Sequence, residues 1–183
     1  MPAAFREKYP STRVIIDATE VKCEVSSCLV LQSGTFSTYK SSNTFKGIIG
    51  ISRDGTITFV SNLFVQSMSD NECVCQSGFL GLPFDAGDSV MADKGFRIGD
   101  LLNEINVTLN IPPFLRFGQF NNTEVRETED IASLRIHVER KIQRIKNYHI
   151  FDRPIPLSLR PVISGILSIC AILTNFQSPL MKV

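Results

Sequence analysis

Short runs of β-branched and apolar residues, separated by turn residues, fill the first part of the chain and predict strands. They occupy positions 13–17, 47–52, 56–61, 90–92 and 107–111. The Asp54-Gly55 pair between the second and third runs is typical of a tight hairpin turn. The first run ends on Asp17, and Asp93 directly follows the fourth. We therefore expect a carboxylate at the ends of two strands.

Helical periodicity appears between and after these runs. A cap at Ser69 or Asp70 predicts a helix over 70–76, and a second short helix is expected over 98–103. A long helix capped by Asn121 or Asn122 is predicted from apolar residues at spacings of 3, 4, 4 and 3: Ile131, Leu134, Val138, Ile142 and Ile145. The last predicted helix, 159–175, is apolar almost all round, and we expect it to be buried.

Hairpin strands combined with strands that are separated by helices predict a mixed α/β sheet flanked by helices. The length of 183 residues fits one domain, 1–183. A net charge of +1 carries no global sign of nucleic-acid binding. The best apolar stretch, 162–176, is shorter than the ~20 residues of a membrane span, so no membrane association is expected. Five cysteines without a secretory leader favour an intracellular protein.

Three carboxylates are candidates for shared chemistry. Glu139 lies one position from the apolar stripe, with Arg135 four residues before it and Lys146 seven after it. Taken singly, Asp17 and Asp93 are strand-end caps, and Arg135 with Glu139 is a helix ion pair worth ~0.3–0.5 kcal/mol. Gathered on one rim, the acids repel unless a cation lies between them. Oxygen ligands favour Mg²⁺ or Mn²⁺, the ions of two-metal phosphodiester chemistry.

Several motifs together carry a family resemblance: Val14-Ile-Ile-Asp-Ala-Thr-Glu20, Tyr39-Lys-Ser-Ser-Asn-Thr-Phe-Lys46, Ser67-Met-Ser-Asp70, Met91-Ala-Asp-Lys-Gly-Phe96 and Leu134-Arg-Ile-His-Val-Glu-Arg140. They resemble the DDE superfamily endonuclease domain of Harbinger-type transposases and their host-derived relatives. The resemblance implies an RNase H-like fold and a metal-dependent nuclease or strand-transfer centre. By position, Asp17, Asp93 and Glu139 match the catalytic, metal-binding acids.

The resemblance also extends to residues around these acids. Asp70 matches a Ser-Asp element of the family, and two interpretations stay open for it: a metal contact or a helix cap. Arg135, Glu139 and Lys146 resemble the arginine-glutamate-lysine part of a signature in related bacterial insertion-sequence transposases. The tyrosine that opens that signature is replaced by Ala132.

Basic residues are crowded between positions 135 and 160. This local excess suits a DNA backbone and predicts salt-sensitive binding with little base readout. A solvated helix face is the alternative. The residues that we expect to contact DNA are Arg135, Arg140, Lys141, Arg144 and Lys146.

The expected function is that of a metal-dependent DNA endonuclease or transposase catalytic domain in the nucleus. The alternative is a domesticated, non-catalytic domain that binds DNA or protein. No helix-turn-helix or zinc-finger pattern is found in the sequence, so target recognition is expected from a missing N-terminal domain or a DNA-binding partner protein. The oligomeric state stays open.

Overall fold

The central strand of the sheet is β1 (Thr12–Lys22). The computed structural model describes residues 7–113 and 122–180. In it, β1 pairs antiparallel with β3 (Ser42–Ile51) along most of its length. On its other edge, β1 pairs in parallel with β6 (Ser89–Met91), but only over the segment before Asp17. β7 (Thr108–Asn110) continues the sheet in parallel beyond β6.

Three short strands pair antiparallel with β3 on the edge away from β1. They are β2 (Phe36–Ser37), β4 (Ile57–Val60) and β5 (Phe64–Val65). β3 and β4 form the predicted hairpin, in which Gly55 adopts a positive φ of 84°. The main strand order is β2-β3-β1-β6-β7. The predicted mixed sheet of antiparallel hairpin strands and parallel strands is thus confirmed.

Helices cover both faces of the sheet. The structure describes α1 (Leu29–Thr35), α2 (Asp70–Gln76), α3 (Gly99–Asn103), α4 (Asn122–Lys146) and α5 (Ile163–Leu173). Short 3-10 turns add Phe79–Gly81, His149–Phe151, Leu157–Leu159 and Thr174–Phe176. The N-terminus of α2 carries a full capping box between Ser69 and Glu72, which confirms its predicted start.

The alternation of side chains along β1 divides the core into two parts. Ile15 and Val21 face α4 and α5, where they join the apolar stripe of α4. Val14 and Ile16 face α2 and α3 on the opposite side. All five predicted stripe residues of α4 belong to the first cluster. The face of β1 that carries Ile15 is therefore the face that α4 covers.

Three sequence expectations are corrected. β1 does not end at Asp17 but continues to Lys22, because β3 supplies hydrogen-bonding partners along that whole stretch. The serine-, glycine- and threonine-rich composition of residues 23–38 favours an exposed loop, but the segment contains α1. The last helix, α5, is shorter than expected. It is also not buried all round, because only one face of the helix packs on the core, and Ile169 on another face is 60% exposed.

Between residues 7 and 113 and between 122 and 180, no helix combines the length and the apolar character needed to cross a membrane.

Packing of α4 on the sheet is open to a direct test. Leu134 is buried at 3% exposure, whereas Ile136 on the same helix is 39% exposed. We expect Leu134→Ala to lower the free energy of unfolding by about 2–4 kcal/mol, because it leaves a cavity between α4 and the sheet. Ile136→Ala is the control and is expected to cost less than about 1 kcal/mol. Urea unfolding measures both, and equal losses would contradict this packing.

Candidate active site

Asp17 lies in β1 at the point where the neighbouring strand β6 stops. Ile15 pairs with Met91, the last residue of β6, and Asp17 comes two positions later on the same face of β1. This is the face that α4 covers. Within the described residues, nothing pairs again with that edge of β1 until an isolated bridge between Cys23 and Ile155. Asp17 therefore borders a gap in the sheet and faces α4.

Asp93 reaches the same gap from β6. It follows Met91 by two residues, just as Asp17 follows Ile15, so the two carboxylates come at equivalent positions after the last paired residues of β1 and β6. A turn begins there, closed by the Phe96 N–H, which donates to the Asp93 carbonyl at 3.0 Å. The Asp93 side chain is 52% exposed, whereas that of Asp17 is only 20% exposed. The two acids thus lie at the same gap in the sheet, with Asp17 on the inner side and Asp93 on the side of the solvent.

The guanidinium of Arg135 brings three carboxylates together. Its Nη1 donates to Asp93 Oδ1 at 3.1 Å. Its Nη2 lies 3.8 Å from Asp17 Oδ1 and 3.7 Å from Glu139 Oε1. α4 holds Arg135 there because the apolar stripe beside it fixes the rotation of the helix. The Arg135 side chain is only 12% exposed, which distinguishes this contact from a surface ion pair.

Burial dominates the electrostatics of Asp17. Desolvation raises the pKa of the Asp17 carboxyl to about 6, against the lowering effect of Arg135 and of the Ala18 backbone N–H. That N–H donates to Asp17 Oδ1 at 3.0 Å. The nearby negative charges of Glu139 and Asp93 raise the pKa of Asp17 further. A carboxylate in this setting gains from any additional cation that approaches it.

The donor set suits a hard divalent cation, since carboxylate oxygens are the ligands that Mg²⁺ and Mn²⁺ prefer. As the side chains are placed, however, no three His, Cys, Asp or Glu groups within 7–113 and 122–180 are close enough to hold a metal ion. The Arg135 guanidinium lies among the three acids that would do so. The residue types fit a metal centre, and the present position of Arg135 does not.

Asp70 lies beside the turn that follows Asp93, and its carboxylate is paired with Lys46. Its Oδ1 accepts from Lys46 Nζ at 2.9 Å, and the same lysine donates to the Met68 carbonyl. A Cβ on Gly95, in that turn, would come within 3.3 Å of Asp70 Oδ2. Asp70 opens α2 in the first turn, behind the Ser69 cap. These contacts favour the structural interpretation of Asp70 over a metal contact.

The basic residues of α4 occupy different environments. Arg140 is exposed, and Arg144 donates to the Ser178 carbonyl. Lys141 is only 4% exposed, and its Nζ donates to the Thr174 carbonyl at 3.0 Å. That contact ties α4 to the turn after α5 and leaves Lys141 facing the interior. In this position the Lys141 ammonium is not available to a DNA phosphate.

Lys146, at the end of α4, lines a cavity of about 250 Å³ at the open edge of β1. Burial lowers the pKa of the Lys146 ammonium, and the charge of Lys40 lowers it further, whereas Glu20 and Asp17 raise it. Among the described residues, no hydrogen bond or ion pair holds this ammonium. The cavity is lined by Glu20, Val21, Lys22, Lys40, Thr44, Lys146 and Phe151. We call it the lysine cavity.

Sequence reasoning did not identify Glu20 and Lys22 as neighbours of this site. Glu20 belongs to a quoted motif, but in β1 it falls on the face opposite Asp17. It lines the same cavity as Lys146, in the part of β1 that the short strand β6 does not reach. No local sequence signal reports where a neighbouring strand stops.

A mixed sheet built around β1, with helices on both faces, defines an RNase H-like fold. The chain belongs to the DDE superfamily endonucleases, since the model of that family matches residues 16–175. This range includes Asp17, Asp93 and Glu139 and confirms the resemblance at the level of the superfamily. No curated protein and no solved structure matches the chain.

The raised pKa of Asp17 predicts how stability depends on pH. Because the folded-state pKa of about 6 exceeds the unfolded value near 3.9, the ionised carboxyl costs stability, and this cost grows between about pH 4 and pH 6. We expect Asp17→Asn to raise the free energy of unfolding by about 1–3 kcal/mol at pH 7.5 and to have little effect at pH 4.

Urea unfolding at both pH values measures this effect, with Asp93→Asn as the matched control. Because the Asp93 side chain is 52% exposed, its substitution is expected to give no such gain. An equal gain from Asp17→Asn at both pH values would contradict the assigned cause.

Proposed function

We propose that this chain is the catalytic domain of a metal-dependent DNA endonuclease or transposase. Asp17, Asp93 and Glu139 would hold Mg²⁺ or Mn²⁺. The observation that carries the proposal is their convergence on Arg135 at the end of β6, in a chain of the DDE superfamily. Three acids from separate parts of the sequence meet at one open edge of the sheet.

When bound, the ions would activate a water or a 3′-hydroxyl and stabilise the oxygen that leaves the phosphodiester. The protein's own residues divide the remaining work. Asp17 is the inner, largely buried donor, and Asp93 and Glu139 are half exposed on the side from which DNA would arrive. The backbone N–H of Lys94 donates to Asp93 Oδ1 at 2.8 Å and orients that carboxylate.

The proposed DNA path runs along the open edge of β1 from the acids to the lysine cavity. Lys146 supports it, because a largely buried ammonium without a partner among the described residues is stabilised by an incoming phosphate. Lys40 faces the same cavity, and Arg140 and Arg144 extend the positive charge along α4. Such contacts bind the backbone without reading base sequence.

Four further parts of the proposal rest on the resemblance and on the proposed DNA substrate. They are a Harbinger-type origin, a single catalytic domain over 1–183, a nuclear location, and target recognition by an additional N-terminal domain or a partner protein. The alternative function is that of a domesticated domain that keeps the fold and binds DNA or protein without cleaving DNA. The presence of all three acids favours catalysis.

Substitution of one acid distinguishes the catalytic function from the non-catalytic alternative. We expect wild-type protein to nick supercoiled DNA with Mn²⁺ or Mg²⁺, and Asp93→Asn to lower the rate at least about 100-fold, since metal-dependent phosphodiester cleavage would depend on each carboxylate that holds the ions. Asp100→Asn, in α3, is the control and is expected to retain activity. Nicking by Asp93→Asn at the wild-type rate would refute the assignment of Asp93, and a wild type without activity would favour the alternative.

The contribution of the lysine cavity is measurable without cleavage. With EDTA present, fluorescence anisotropy gives the DNA affinity as a function of salt concentration. We expect Lys146→Gln to weaken binding of unrelated DNA sequences equally and to reduce the salt slope by about 1, as for one lost phosphate contact.

The matched control is Arg13→Gln. This substitution removes one exposed positive charge from the start of β1, about 20–25 Å from the lysine cavity. It is expected to leave the slope unchanged. An unchanged slope in Lys146→Gln would contradict the proposed DNA path.

A further inference from the structure

Arg135 occupies the position that a cation must take if the three acids are to act together. Its Nη1 and Nη2 lie 3.1–3.8 Å from one oxygen of each of Asp93, Asp17 and Glu139. An ion bound by the same oxygens, at ~2.0–2.1 Å for Mg²⁺, would fall in the space that these nitrogens fill. Two positive groups at that separation would also repel strongly.

The guanidinium is poorly satisfied where it lies. Of its five N–H donors, only one makes a hydrogen bond to these acids, that from Nη1 to Asp93. The contacts to Asp17 and Glu139 are ion pairs at 3.7–3.8 Å, beyond hydrogen-bond length. Its Nε is buried and has no hydrogen-bond partner among the described residues. A buried donor without a partner carries a desolvation cost, which Arg135 would recover by leaving.

Arg135 would leave the site on its exposed side, where Asp93 and Glu139 lie. Asp93 and Glu139 have 52% and 54% of their side chains exposed, and they border Arg135 on that side. By contrast, the Lys46 ammonium is fixed by both Asp70 and the Met68 carbonyl, as in a permanent structural ion pair. Arg135 resembles a removable counterion more than a structural one.

We propose that Arg135 is a placeholder cation, which holds the three carboxylates in the metal-free protein and excludes a divalent ion until it swings out. The proposal rests on the proposed function. Once displaced, the guanidinium stands on the outer side of the rim, where a DNA phosphate replaces the acids as its partner. DNA and the divalent ion then bind with positive coupling, since each stabilises the displaced position of Arg135.

The test measures Mn²⁺ binding by titration calorimetry in the full chain without DNA. We expect Arg135→Gln to bind Mn²⁺ about 5- to 150-fold more tightly than the wild type, the range of a typical coupling between sites. Arg135→Lys keeps the positive charge, but its single ammonium cannot contact all three acids. Its Mn²⁺ affinity is therefore expected to lie between those of the wild type and Arg135→Gln. If Arg135→Gln does not fold, as judged by circular dichroism, Arg135→Lys carries the comparison.

Arg140→Gln is the control for charge acting at a distance, because it removes one exposed cation next to Glu139 on the same helix. It is expected to change Mn²⁺ affinity less than about 2-fold, since exposed charges are screened. Equal gains in Arg140→Gln and Arg135→Gln would show a general charge effect and overturn the placeholder proposal.

A second readout follows Arg135 itself. In wild-type protein, saturation with Mg²⁺ is expected to shift the Nε–H nuclear magnetic resonance signal of Arg135 and to leave that of Arg13 in place. An unchanged Arg135 signal at saturation would overturn the proposal.

Failure of the two proposals can be told apart with Asp93→Asn. If no variant shows Mn²⁺ binding that Asp93→Asn removes, the metal centre itself is refuted. If the wild type binds Mn²⁺ through Asp93 but Arg135→Gln binds it no more tightly, only the placeholder proposal fails.

Discussion

The meeting of one guanidinium with three carboxylates is the interaction on which the candidate site depends. Three negative charges at the rim of a sheet repel, and Arg135 is the positive group that lies among them. The fold delivers each partner separately. The parallel register of β1 and β6 aligns Asp17 with Asp93, and the apolar stripe of α4 turns Arg135 and Glu139 toward them. A change in either packing would separate the charges.

The site differs from the structural ion pairs of the same protein in how well its polar groups are satisfied. Lys46 donates to both Asp70 and the Met68 carbonyl, and Asp70 lies beside the turn after Asp93. By contrast, the Arg135 Nε has no hydrogen-bond partner within residues 7–113 and 122–180, and the neighbouring Asp17 carboxyl has a raised pKa. Folded proteins concentrate such unsatisfied or perturbed groups at functional sites, where a ligand completes them. The contrast favours a binding role for the acids around Arg135 and a structural one for Asp70.

Much of the fold was accessible from periodicity and turn chemistry. The Asp54-Gly55 hairpin, the capping box of α2 and the buried stripe of α4 are local patterns, and the structure confirms them. The length of β1 was not accessible, because strand ends depend on the neighbour: β3 continues to pair with β1 after β6 has stopped. The exposure of Ile169 likewise depends on which face of α5 meets the core.

From the sequence by itself, strand and helix patterns indicated a mixed α/β sheet and the candidate acids, and the resemblance of several motifs indicated the family. Only the tertiary structure decided what each charge touches. It directed Arg135 to the acids, buried Lys141 against the Thr174 carbonyl and left Lys146 beside a cavity, although all three belong to the basic second half of one helix. The physical reason is that spacing fixes the face of a helix, whereas the partner of that face is set by sheet register and packing.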